Sequence, residues 1–218
     1  MITSLRTRRA VFWYLAPDRI VAAVVSRAER EPVLEACAAS YAPPVAGSCF
    51  APGVIEVAWV LGCERDPHIA ALAAPFCRVD SAASGQAPVD DDLECEEAEN
   101  VEPNARYGEA LPQRAERLAA VTGAQDGTRV WAQEGAVAQA AAVFRRARLR
   151  LIALDCEPCV LLSLSAALGT GDVLGARRQH LSAVSVLPES EAAAEALGED
   201  LAVPVGLAVS WFGAGRAR

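Results

Sequence analysis

Residues 128–168 constrain the fold more than any other stretch of this chain. Thr128-Arg129-Val130-Trp131-Ala132 reads as a strand. Glu134 to Arg148 is an Ala-rich segment with Val137, Ala141 and Phe144 at helical spacing, which predicts a helix with that face inward. Leu149 to Leu154 is an apolar strand ending at Asp155, and Pro158 suits the first turn of a helix whose body is Val160 to Leu168. Strand, helix, strand and helix in such quick succession is an α/β signature.

The N-terminal part predicts an antiparallel meander. Val11 to Leu15, Ile20 to Val25 and Val33 to Ala38 are apolar runs, separated by the turn signals Pro17-Asp18 and Arg27 to Pro32. Residues 41–53 are loop-like, with Pro43, Pro44, Gly47, Pro52 and Gly53; Val54 to Leu61 leans to helix. Ile69 to Val79 is expected to hold another strand, and Leu111 to Ala120 part strand and part loop. Toward the C-terminus, Leu181 to Leu187 predicts a strand, Glu189 to Leu197 a short helix, and Val205 to Trp211 is an apolar segment. Length and hydrophobic content suit one globular unit or two small ones; residues 1–218 are taken as a single domain, with an acidic insertion near 80–112.

Charge and residue choice exclude several functions. The net charge of -8 disfavours sequence-independent nucleic-acid binding, although Arg145, Arg146, Arg148 and Arg150 form a local basic cluster. All 20 basic residues are arginine. A Walker-type P-loop and Schiff-base chemistry both need lysine and are excluded. The apolar run after Thr7-Arg8-Arg9 stops at Pro17, too short for an export signal, and no stretch reaches the ~20 apolar residues of a membrane helix. No direct membrane insertion is expected.

Seven cysteines at irregular spacing read as reduced thiols. Cys156-Glu157-Pro158-Cys159 is a C-x-x-C, but a structural zinc needs four ligands, and neither a second such pair nor a neighbouring histidine exists: His68 and His180 are isolated. A redox dithiol is disfavoured by Glu157, whose charge between the sulfurs is expected to raise the thiol pKa values. The run Asp90 to Pro103, with eight carboxylates, lacks the calcium-loop pattern and reads as a solvated helix face. Gly169-Thr170-Gly171-Asp172-Val173-Leu174-Gly175 follows a helix, where a phosphate loop follows a strand; it reads as a helix cap and linker. No catalytic, cofactor-binding or metal-ligating residue is assigned.

The Ala153-Leu154-Asp155-Cys156-Glu157-Pro158-Cys159 segment resembles the D-x-E-P strand-to-helix junction of the type IV pilus assembly proteins of the PilM family, through Asp155, Glu157 and Pro158. Arg129 to Asp155 is similar to that family's preceding strand, helix and strand, with Ala147-Arg148-Leu149 in place of its A-G-L turn. Glu96 to Pro103 resembles its E-A-E-x-x-x-P helix end, and Val203 to Trp211 its closing V-A-x-G-L-A-x-R segment, with Ser210 in place of Arg. The cytoplasmic domain of the type II secretion protein GspL shares the resemblance more distantly.

The resemblance implies an actin-like (ribonuclease H-like) α/β domain with a mixed sheet, an N-terminal antiparallel meander and flanking helices. It implies a non-enzymatic bacterial scaffold in the cytoplasm, peripheral to the inner membrane, in a pilus or related secretion platform. The implied partner is the cytoplasmic tail of a PilN-like membrane protein; neither residues nor resemblance place its groove, and self-association stays open. The family's first phosphate loop, D-x-G-S-S-x-x-K, corresponds to Tyr14 to Ile20, where its glycine and lysine are missing. About forty residues separate the junction helix from the closing segment, too few for a second actin-like domain. No cofactor is expected. A nucleotide-binding protein of the actin-like class and a thiol oxidoreductase using Cys156 and Cys159 are the alternatives.

Overall fold

The computed structural model describes residues 8–28, 31–44, 47–80, 118–121 and 129–213. Its main sheet has six strands: β1 (Arg9–Leu15), β2 (Arg19–Ala28), β3 (Glu31–Tyr41), β4 (Pro67–Leu72), β8 (Arg150–Cys156) and β9 (Ser185–Val186). They lie in the order β8-β4-β1-β2-β3-β9. β2 runs antiparallel to both of its neighbours, and every other pairing is parallel. A second, antiparallel sheet of β5 (Cys77–Asp80), β6 (Leu118–Val121) and β7 (Arg129–Gln133) has the order β5-β7-β6. The fold is α/β, a mixed sheet with flanking helices.

The meander forms because β1 is apolar from Ala10 to Leu15 and β2 from Ile20 to Val25, as strands buried on both faces require. Alternation on β1 divides the core. Trp13 meets Phe144 of α2 (Glu134–Arg146) edge-on at 5.4 Å, while Phe12 meets Phe212 of α6 (Ala202–Gly213) at 5.8 Å from the other face. On the Phe12 side, α6 packs against α3 (Glu157–Leu168) at Gly206. A Cβ there would stand 2.7 Å from Val160 Cγ1, so only glycine admits this approach. On the other side, α1 (Val54–Leu61) packs on β2 and β3 and leaves Ile55, Trp59 and Val60 exposed.

Several expectations are corrected. The strand over Leu181 to Leu187 is a 3₁₀ turn, His180–Ala183, followed by the two-residue β9. β9 reaches only Val33 and Leu34 of β3 before Pro188 opens α5 (Pro188–Leu197), too little length for a periodic signal. The single strand expected over Ile69 to Val79 is two, β4 and β5, divided by the 3₁₀ turn Ala74–Phe76, where Pro75 interrupts the ladder. The inward face of α2 is Ala136, Ala140 and Phe144, one position off the expected Val137 and Ala141. Phe144 sets the phase, and the small alanines let the helix sit close to the sheet. Gly169 does end α3, in the left-handed conformation, but Gly175 lies inside α4 (Val173–Gln179), capped by Asp172. Val205 to Trp211 is helical, within α6. The acidic run Asp90 to Pro103, and the expected insertion from residue 81 on, lie outside the described residues.

The end of α2 is a Schellman motif: Leu149 N–H donates to Phe144 O at 2.9 Å and Arg148 N–H to Arg145 O at 3.1 Å. The left-handed position falls on Arg148, φ 58°, the one non-glycine with positive φ among the described residues. A side chain in that conformation costs about 1–2 kcal/mol. No single described helix is long and apolar enough to cross a membrane.

Candidate functional site

In open α/β sheets, ligand sites form beyond the carboxyl ends of parallel strands. Here β1, β4 and β8 end together: Leu15 pairs with Leu72, and Leu72 with Cys156. The next residue, Glu157, opens α3, with Pro158 in the first turn as expected, where a helix terminus favours negative charge.

Glu157 is only 6% exposed, and both of its oxygens are occupied. Oε2 accepts from Tyr14 Oη at 2.9 Å and from Ala74 N–H at 2.8 Å; Oε1 is ion-paired with Arg177 of α4. A buried carboxylate persists only when paired in this way. Burial, with the Glu157 charge second, holds the Tyr14 phenol well above its ordinary pKa, so it stays a donor.

A second network adjoins it. The Arg19 guanidinium lies 5.8 Å from the Tyr14 ring centroid and is ion-paired with Asp18 at 2.8 Å and Asp200 at 3.2 Å. Tyr41 Oη donates to Asp200 at 2.8 Å, and burial, then that hydrogen bond, push its phenol up to about 12. One run of contacts, Tyr41–Asp200–Arg19–Tyr14–Glu157–Arg177, thus spans the carboxyl end of the sheet.

The β1–β2 turn lies at the position of the resembling family's first phosphate loop. Ala16 N–H is spent on Arg19 O, Pro17 has no N–H, and Ala16 O and Asp18 O accept from Ala51 and Ala42. A phosphate needs several free amides converging on it. This turn offers carbonyls, the Asp18 carboxylate and the nearby Asp200, so its residues do not fit a nucleotide phosphate. The other glycine-rich stretch, Gly169 to Gly175, closes α3 and opens α4, with Asp172 accepting from Gly175 N–H at 2.5 Å.

The C-x-x-C residues differ in burial. Cys156 is fully buried at the end of β8, while Cys159 is half-buried in α3. Neighbouring Cys77 of β5, together with burial, pushes the Cys156 thiol far up, while the Cys77 thiol itself donates to Leu72 O at 3.6 Å. Burial, with the charge of Asp155 second, pushes Cys159 up to about 11. The expectation that Glu157 raises these thiols is corrected: Glu157 is turned to Tyr14 and Arg177, and Asp155 is the carboxylate acting on both sulfurs. Burial raises the Asp155 carboxyl, against a hydrogen bond from Cys156 N–H at 2.7 Å.

The two histidines stand apart. His68 Nδ1 accepts from Trp13 Nε1 at 2.9 Å, inside a cage with Phe144. Its proton therefore lies on Nε2, and burial lowers its pKa to about 4. His180 lies against Arg177 O at 2.6 Å, and burial lowers it as well. Among the described residues no group of three His, Cys, Asp or Glu side chains is placed to hold a metal. The cluster Arg145, Arg146, Arg148 and Arg150 stands exposed at the start of β8, the opposite end from Glu157.

Sequence reasoning missed Tyr14, Arg19, Arg177 and Asp200. Tyr14 lies in an apolar strand and reads as core, and Arg177 lies 20 residues from Glu157, just beyond the Gly169 to Gly175 stretch read as cap and linker. No local pattern announces either pairing.

The chain is similar to a chain of the PilM-PilN type IV pilus biogenesis complex, with a TM-score of 0.52 and 13% identity, over 93% of this chain and 98% of that one. It also matches the cytoplasmic domain of EpsL, an inner-membrane component of the type II secretion system of Vibrio cholerae, with a TM-score of 0.37 and 12% identity over 71% of this chain and 59% of that one. No family model and no curated protein matches the chain. The first likeness runs almost end to end in both chains and establishes a shared fold.

Proposed function

We propose that this chain is a non-catalytic scaffold of the actin-like class, working in the cytoplasm in a type IV pilus or related secretion platform at the inner membrane. A PilN-like membrane protein would hold it there through its cytoplasmic tail. The observation that carries the proposal is the likeness to a chain of the PilM-PilN complex over 93% of this chain and 98% of that one.

Three features of the molecule support it. The mixed sheet, with β2 alone reversed in the run β3-β2-β1-β4-β8, is in keeping with the actin-like reading. The D-x-E-P residues Asp155, Glu157 and Pro158 fall at a strand-to-helix junction, as the resemblance requires. After α3 the chain passes through α4 and α5 to α6, which packs back on the same sheet, in keeping with a single first domain. The β1–β2 turn, with its Ala16 N–H spent and no N–H on Pro17, weighs against the nucleotide-binding alternative, and the raised thiols weigh against an oxidoreductase.

The test is binding of the full chain to an immobilised peptide carrying the cytoplasmic tail of a PilN-like protein. Saturable binding at micromolar concentration is expected. No binding up to high micromolar overturns the proposal, and thermal stabilisation by Mg-ATP favours the nucleotide reading instead.

A further inference from the structure

The end of the main sheet opposite Glu157 gathers arginines from four separate segments. Arg8 precedes β1 and Arg27 lies near the end of the antiparallel β2; Arg27 N–H donates to Arg8 O at 2.7 Å, which sets the two side by side. Arg65 stands two residues before β4, whose Pro67 pairs with Arg150 at the start of β8. Arg145 and Arg146 end α2, and Arg148 follows them. All are exposed except the half-buried Arg27. None of these seven forms an ion pair with a described residue, whereas Arg9 beside them takes up both Glu35 and Asp66. Among the described residues, Glu31 and Glu64 also stand at this end.

A helix C-terminus favours basic residues, and this accounts for Arg145 and Arg146. It does not account for the others, least of all Arg148, which occupies the left-handed position of the Schellman motif, where glycine is the unstrained choice. A strained arginine inside a set of arginines without an ion pair to any described residue points to use of the charge. Segment 81–117 holds 10 acidic and 3 basic residues, a net charge of -7 out of the -8 of the whole chain. The rest of the chain is therefore nearly neutral, and its arginine end is a local positive pole.

We propose that this end is a docking surface for the phosphate headgroups of an anionic lipid bilayer. The proposal rests on the placement at a membrane given above and adds a direct lipid contact to it. These residues stand at strand ends along one edge of the sheet and at one helix end, a face suited to a plane of phosphates. α2 meets this face end-on, where groove reading lays a helix along the duplex. Guanidiniums are weakly hydrated and pair with phosphate bidentately.

The experiment is co-flotation of the full chain, without any tail peptide, with vesicles of phosphatidylglycerol and phosphatidylethanolamine or of phosphatidylcholine alone. Binding to the anionic vesicles only, lost at high salt, is expected. Arg148→Gly is expected to weaken binding about fivefold, the worth of one cationic side chain at an anionic surface, while raising Tm by a few degrees. Equal binding to both vesicle types, or unchanged binding by a stabilised Arg148→Gly, overturns the proposal. Tighter binding to duplex DNA than to anionic vesicles overturns it in favour of nucleic acid. Tail-peptide binding without vesicle binding leaves the scaffold reading intact and removes this one.

Discussion

The phenol of Tyr14 donates to Glu157 Oε2 at 2.9 Å, joining the end of β1 to the first turn of α3 across 143 positions of sequence. Tyr14→Phe leaves Glu157 with Ala74 N–H and Arg177, so the expected cost in urea unfolding is about 1–2 kcal/mol. Arg177→Met strips the carboxylate of its counter-charge and is expected to cost about 3 kcal/mol, the low end for a broken buried pair because Arg177 is partly exposed. Equal losses from the two variants would refute this ranking.

Gly206 offers a sharper packing test. Alanine is the better helix former, yet its Cβ would press on Val160 Cγ1. Gly206→Ala is expected to destabilise by about 1–2 kcal/mol. Adding Val160→Ala should shrink that penalty in a double-mutant cycle, and strict additivity of the two changes would refute the contact.

His68 predicts a pH dependence. Its folded pKa is lowered to about 4 from an ordinary 6.5, so between these values the unfolded chain binds the extra proton. Stability from this group is therefore complete above pH 6.5 and is lost as pH falls toward 4, by up to about 3 kcal/mol. The burial of His180 acts in the same direction. His68→Gln should flatten the slope of unfolding free energy against pH over this window, and an unchanged slope would contradict the buried neutral imidazole.

Thiol labelling tests the cysteine assignment. With Cys156 fully buried and both it and Cys159 raised, iodoacetamide at neutral pH should modify neither in the folded chain at the rate of an ordinary thiol. Mass mapping after brief labelling, native against urea-unfolded, reads this directly. Rapid native alkylation of either residue would reopen the oxidoreductase alternative.

The parts of the fold visible in sequence are those whose signals are local. β1 and β2 are apolar runs bounded by Pro17-Asp18 and a charged turn, and Pro158 marks the start of α3 wherever the helix packs. The phase of α2 was misread because an alanine-rich face offers almost no contrast between Ala136 and Val137; Phe144 decides it, through a Trp13 that lies 131 positions away. The site network was invisible for the same reason. Tyr14, Glu157, Arg177 and Asp200 meet only through the closed sheet, and a tyrosine inside an apolar strand carries no mark of the carboxylate it will meet. The C-x-x-C misleads in the opposite sense. Its spacing suggests a reactive pair, but Cys156 is fully buried at the end of β8 and burial raises both thiols.

The contact of Phe12 with Phe212 has a consequence for biogenesis. One face of the first strand is covered by a helix made about 200 residues later, so at ~5–20 residues per second the nascent meander waits roughly 10–40 s for its lid. Through that interval it presents an apolar β surface free to pair with other chains. A cell making this protein has reason to keep a ribosome-associated chaperone on it until α6 emerges.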